Sequence, residues 1–174
     1  TANEPLSDFY CPNSSVFQAR LARFESELVK SGALENNASL LASITGEIGN
    51  NAYDHNLGNW PDIPGIFFIH NINKRQVAIA DRGQGVLATL KKVRPDLKND
   101  QDALKMAFTE IISGRAPENR GNGLKFVRKI VMDNKYDLLF KSGRAELKMN
   151  KKSHGLDISE TKVFINGCLA LIKF

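Results

Sequence analysis

Glu47-Ile48-Gly49-Asn50-Asn51-Ala52-Tyr53-Asp54-His55 decides how the rest of the chain is read. Leu41, Ile44, Ile48 and Ala52 recur at helical spacing, so the stretch closes a helix running from about Asn37 to about Asn56. Glu47, Asn51 and His55 stand at i, i+4 and i+8 and share one face of it. That polar stripe runs beside the apolar one, not opposite it, which is where a half-buried cleft forms. A carboxylate one turn from a carboxamide suits the hydrolysis of a phosphoanhydride. The Glu47 carboxylate can take a proton from an attacking water or hydroxyl. The Asn51 amide oxygen is a hard neutral ligand for magnesium, an ion held partly by substrate phosphates. Gly46 and Gly49 each cost roughly 1 kcal/mol relative to alanine inside a helix. Close approach of another backbone or a ligand would account for keeping them. A solvated polar face is the alternative that this segment alone leaves open.

Upstream, residues 1–13 carry Pro5 and Pro12 and read as an extended arm. A helix starts at Ser14 or Ser15 as cap and ends at Gly32. Val16, Phe17, Leu21, Phe24 and Leu28 form its apolar stripe, which reads as core. Downstream, residues 65–70 and 76–81 are short extended runs around Asn73-Lys74, an antiparallel hairpin. Residues 100–113 have helical period, 113–123 form a polar loop, and a further helix carries Leu124, Val127, Ile130 and Val131. Residues 137–141, 145–149, 162–165 and 168–174 read as strands, with a charged loop over 150–160. Helices first and strands later predict an α/β two-layer sandwich (α+β): a mostly antiparallel sheet covered on one face by helices. Residues 1–174 are expected to form one domain, with 1–35 as its N-terminal arm and helix.

Two glycine turns follow the decisive helix in sequence. Val77, Ile79 and Asp81 alternate, so Asp81 points where two apolar side chains point. A buried carboxylate needs a donor, and an adenine amino group supplies one on an apolar ring. Gly83 and Gly85 follow in Asp-Arg-Gly-Gln-Gly and let a ligand approach the backbone. Gly83 to Ala88 also fits the dinucleotide pattern G-x-G-x-x-A. That pattern expects a parallel βαβ unit, whereas this strand follows a tight hairpin. The second turn, Arg120-Gly121-Asn122-Gly123-Leu124, opens a helix whose free N–H groups and dipole favour anions. Arg115, Arg120 and Lys125 add positive charge there; the plain alternative is a flexible loop before a helix start. No G-x-x-x-x-G-K-[ST] P-loop occurs, and the repeated acidic positions of a calcium loop are missing.

The whole chain has 174 residues, 42% hydrophobic and 25% charged, and a formal net charge of +5. This is ordinary soluble composition, and the charge is too small and too evenly spread to indicate nucleic acid. Cys11 and Cys168 stand far apart in no paired motif, so a reducing cytoplasm is expected; no secretory or membrane-spanning run is visible.

Together the three boxes resemble the GHKL ATPase superfamily, whose members have the Bergerat ATP-binding fold. Its E-x-x-x-N-A-x-x-H box matches Glu47, Asn51, Ala52 and His55. Its D-x-G-x-G box matches Asp81, Gly83 and Gly85, and its G-x-G-L box matches Gly121, Gly123 and Leu124. The resemblance covers residues 36 to 174. It implies ATP and magnesium as ligands, Asn51 on the metal, Glu47 as general base and Asp81 on the adenine amino group. By the same resemblance His55, Gly83, Gly85, Arg120, Gly121, Gly123, Leu124, Lys125 and Cys168 line the nucleotide, and residues 86 to 120 form a lid. The family's last strand usually opens with Gly-Thr where this chain has Gly167-Cys168, and Lys125 stands where glycine is common. The first histidine is His55, so the chain holds no upstream phosphoacceptor histidine. The organisation is similar to small bacterial anti-sigma-factor kinases, which implies a regulatory ATPase or protein serine kinase acting on a STAS-like partner. Lys141-Ser142-Gly143-Arg144 is similar to a Ser-Gly turn in some of these proteins. A non-hydrolysing ATP-dependent switch and a detached catalytic domain of a sensor histidine kinase are the alternatives.

Overall fold

A computed structural model describes residues 8–33, 35–110, 123–150 and 155–174. Strand β1 (Tyr10–Cys11) precedes helix α1 (Ser14–Lys30) and helix α2 (Glu35–Asn56). Asn13, not Ser14 or Ser15, caps α1: its backbone is extended and its side chain accepts from the Val16 N–H at 3.0 Å. The two serines are already inside the first turn. Phe17, Leu21, Phe24 and Leu28 are buried along α1, as their spacing predicts. α1 packs on α2 so closely that a side chain at Gly49 would overlap the Phe17 ring, and one at Gly46 would come within 3.0 Å of Leu21. The two helical glycines therefore serve α1–α2 packing. Their close neighbour is a helix, not the ligand or backbone that the sequence suggested.

Strands β2 (Ile66–Asn71) and β3 (Gln76–Asp81) form the expected hairpin, with Phe68 opposite Ile79. The chain then passes through helices α3 (Gly85–Lys91), α4 (Asp100–Thr109) and α5 (Gly123–Asp133) before strands β4 (Asp137–Met149) and β5 (Asp157–Lys173). The sheet order is β1-β2-β3-β5-β4, and every pairing is antiparallel. The last strand thus lies between β3 and β4. It brings Gly167 and Cys168 beside the C-terminal end of β3, where Asp81 sits. The fold is α+β, a five-stranded antiparallel sheet with five helices among the described residues, compatible with a two-layer sandwich. None of the described helices is long and apolar enough to cross a membrane.

Three segments differ from expectation. β4 is one strand, not two: it bulges around Gly143, where φ is +60° and the register to β5 slips, and then continues. β5 is also one strand where two were expected, over 162–165 and 168–174, and it begins at Asp157, inside the expected charged loop, because Asp157 to Glu160 pair with Lys148 to Ala145. That run has one apolar residue, Ile158, so no alternation announces it. α3 was not expected as a helix. Residues 111–122 and 151–154, with the end of the predicted 100–113 helix and most of the polar loop, lie outside the described residues.

The main core joins Phe17, Phe24, Leu41 and Ile44 from the helices with Ile66, Val77, Leu138 and Ile172 from the sheet. A smaller cluster of Leu90, Leu97, Ala103 and Met106 ties α3 to α4.

Candidate functional site

Helix α2 touches both glycine turns. Its polar stripe carries Glu47, Asn51 and His55, each half-buried. Gly123, the first residue of α5, lies directly over the first two. A Cβ built on Gly123 would stand 2.6 Å from the Glu47 carboxylate and 3.5 Å from the Asn51 amide nitrogen. The first and third boxes, 76 positions apart by residue number (123 − 47), therefore meet. Leu124 and Lys125 follow in the first turn of α5, both half-buried, with Leu124 packed on the main core. Arg120 and Gly121 lie outside the described residues, as does Arg115.

The second box meets the same helix lower down. Asn56, 4% exposed, occupies the next position on the apolar stripe after Ile48 and Ala52. Its amide donates to the Ala52 carbonyl at 2.8 Å, and its oxygen accepts from the Gln84 N–H at 2.8 Å. Gly83 lies flat against this amide, where any Cβ would overlap it. Gln84 also donates from its side chain to the His55 carbonyl at 3.0 Å. Sequence reasoning missed Asn56. Its signal was a polar residue at a core-stripe position, which signals a buried hydrogen bond.

Asp81 is buried with Val77 and Ile79, as their alternation predicts. Its carboxylate accepts from the Gly83 N–H at 2.7 Å and from the Cys168 N–H. Burial pushes its pKa up to about 6; the two backbone donors pull the other way and do not offset it. Ionised Asp81 is thus a carboxylate short of donors in an apolar wall. Gly85, with φ at +79°, turns the chain into α3. His55 is held below the usual imidazole range by burial, and secondarily by the positive charge of Lys92. It is neutral at pH 7 and available as a hydrogen-bonding group, not as a cation.

Cys168 serves Asp81 through its backbone, not its thiol. The thiol donates to the Ser142 hydroxyl at 3.7 Å. Burial first, and then the Asp81 charge, raise the thiol pKa well above normal, so it stays protonated. Gly167, with φ at +76°, presses against Asp81 so tightly that a side chain there would overlap the Asp81 backbone. Among the described residues no cluster of three or more His, Cys, Asp or Glu side chains could hold a metal. A cation here would rest on Asn51 and on oxygens of its own ligand.

No protein-family model matches the chain, and no curated protein sequence matches it.

Proposed function

We propose that the chain is a magnesium-ATP-binding domain of the Bergerat type found in GHKL ATPases, acting as a regulatory ATPase or protein serine kinase on a STAS-like partner in the cytoplasm. The observation that carries this reading is the double contact of α2. Its Glu47–Asn51 end abuts Gly123, and its Asn56 end abuts Gly83. The nine-residue step from Glu47 to Asn56 spans about 13.5 Å at 1.5 Å per residue. That separation suits a nucleotide laid along the helix, with its base at Asp81 and its phosphates at Gly123. The bare backbone at Gly83 lets its turn close on Asn56, and that at Gly123 lets the start of α5 close on Glu47, so both turns are held against the same helix.

Within this reading each residue has a chemical task. Asp81 accepts from the adenine amino group, the donor its buried carboxylate lacks. The α5 N-terminus at Gly123 offers N–H groups to phosphate, and Lys125 adds charge. Asn51 holds the magnesium, which neutralises phosphate charge. Glu47 takes the proton from the attacking oxygen, whether of water or of a partner serine; the phosphoryl group passes to that oxygen and ADP leaves.

The assignment is tested at Glu47. Glu47→Gln keeps size and removes the base. Phosphate release or transfer is expected to fall by roughly 10²-fold or more, while affinity for magnesium-ATP stays within a few-fold. Unchanged turnover would remove Glu47 from the mechanism. Tight binding with no turnover in either protein would favour the ATP-dependent switch.

A further inference from the structure

The Ser142 hydroxyl lies outside the three boxes and ties the end of the second to the last strand. Ser142 is 1% exposed and stands opposite Cys168 in the β4–β5 register, one residue before the Gly143 bulge. Its oxygen accepts from the Val86 N–H at 2.9 Å, and its O–H donates to the Gly167 carbonyl at 3.1 Å. That carbonyl belongs to the same peptide unit as the Cys168 N–H, and the Cys168 N–H donates to Asp81. The hydrogen bonds therefore run in series: Val86 N–H to Ser142, Ser142 O–H to Gly167 C=O, and Cys168 N–H to Asp81. Every donor points the same way, and the series ends on the carboxylate.

We propose that Ser142 is a positioning residue for base recognition, a relay that fixes the Gly167–Cys168 peptide with its N–H aimed at Asp81 and strengthens that hydrogen bond. Bonds in series polarise one another, each strengthening the next by roughly 10–30%. A planar peptide also transmits orientation: holding its carbonyl holds its N–H. The same hydroxyl anchors Val86, just after Gly85, so one side chain locks the glycine turn of α3 to the last strand on either side of Asp81.

Beside the Gly83 N–H, the groups around Asp81 leave this relay as the means of tuning it. α2 brings neutral Asn56 to the Gly83 turn, and β4 brings neutral Ser142. The ionisable neighbour on β5 is the Cys168 thiol, which stays protonated. Arg82, next in the chain, is engaged by Asp62 at the surface, and His55 on α2 faces Lys92.

The test is an NMR titration of the Asp81 carboxyl carbon in the nucleotide-free protein, in wild type, Ser142→Ala and Ser142→Cys. Ala removes the hydroxyl; Cys keeps its shape with a much weaker donor, and it keeps the experiment decisive should the alanine variant unfold. The Asp81 midpoint is expected to move up by roughly half a pH unit in a folded variant, the share of one charge-assisted hydrogen bond lost with the relay. The pH midpoint of magnesium-ATP binding is expected to move with it. A purely structural role would lower the melting temperature and leave the Asp81 midpoint in place, and that result would overturn the proposal. The consequence for binding rests on the ATP reading, but the carboxyl titration does not. Wild type that fails to bind magnesium-ATP refutes the ATP reading alone. Wild type that binds, with an unmoved Asp81 midpoint in the folded variants, refutes the relay alone.

Discussion

Replacing Asp81 by asparagine should stabilise the protein in the absence of nucleotide and, on the proposed function, abolish magnesium-ATP binding. Asp81 is 7% exposed, and its pKa rises from 3.8 to about 6 on folding. At about 1.36 kcal/mol per unit, ionising it inside the native protein costs about 3 kcal/mol more than in the unfolded chain. A carboxyl whose native pKa lies above its unfolded one favours the native state while protonated. Wild type therefore loses this contribution as pH rises from about 4 to about 6, and the loss is complete above 6. The asparagine variant cannot ionise at this position and loses nothing. Its carbonyl oxygen still accepts from Gly83 and Cys168, and whatever its NH₂ costs in packing is the same at every pH. The quantity to measure is thus the stability difference between Asp81→Asn and wild type as a function of pH. It should grow by about 1 kcal/mol between pH 5 and pH 8, and by about 3 kcal/mol from below pH 4. In a chain of this size about 1 kcal/mol is roughly 2–4 °C in melting temperature. Thermal melts without nucleotide at pH 5 and pH 8 read it directly. A difference that does not change with pH would refute the burial argument for Asp81. The same variant should lose any rise in melting temperature that wild type shows with magnesium-ATP.

Two further substitutions separate the walls of the site. Gly123→Ala places a methyl group 2.6 Å from the Glu47 carboxylate. Glu47 is half-buried and can swing aside, so a melting temperature within a few degrees of wild type is expected together with at least a tenfold loss of magnesium-ATP affinity by calorimetry. Asn56→Ala leaves the half-buried Gln84 N–H without its acceptor, at a cost of about 1 kcal/mol in urea unfolding. Affinity should fall as well, because Asn56 holds the Gly83 turn; retained affinity would show that the turn is held by other contacts.

Much of this arrangement was legible in the sequence because it rests on local periodicity. The stripe of Leu41, Ile44, Ile48 and Ala52 announced α2, and the alternation of Val77, Ile79 and Asp81 announced a buried carboxylate. Contacts between distant segments were not legible. Gly49 reads as an invitation to a ligand until Phe17 is seen lying on it. Asp157 to Glu160 read as loop because their strand character comes from pairing with β4, and nothing in their own pattern shows it. Sequence alone could not show that the neighbouring strand puts a hydroxyl, Ser142, against the Cys168 thiol. Asn56 looked like a helix end and proved to be a clamp between boxes.

The proposal to be tested is that α2, the Gly83 turn and the start of α5 together hold magnesium-ATP. Isothermal titration of the intact protein with ATP in excess magnesium tests it most directly. The account predicts saturable one-site binding that weakens as pH falls below about 6, where Asp81 takes up its proton. A flat titration at pH 8, with the protein shown to be folded, would contradict it.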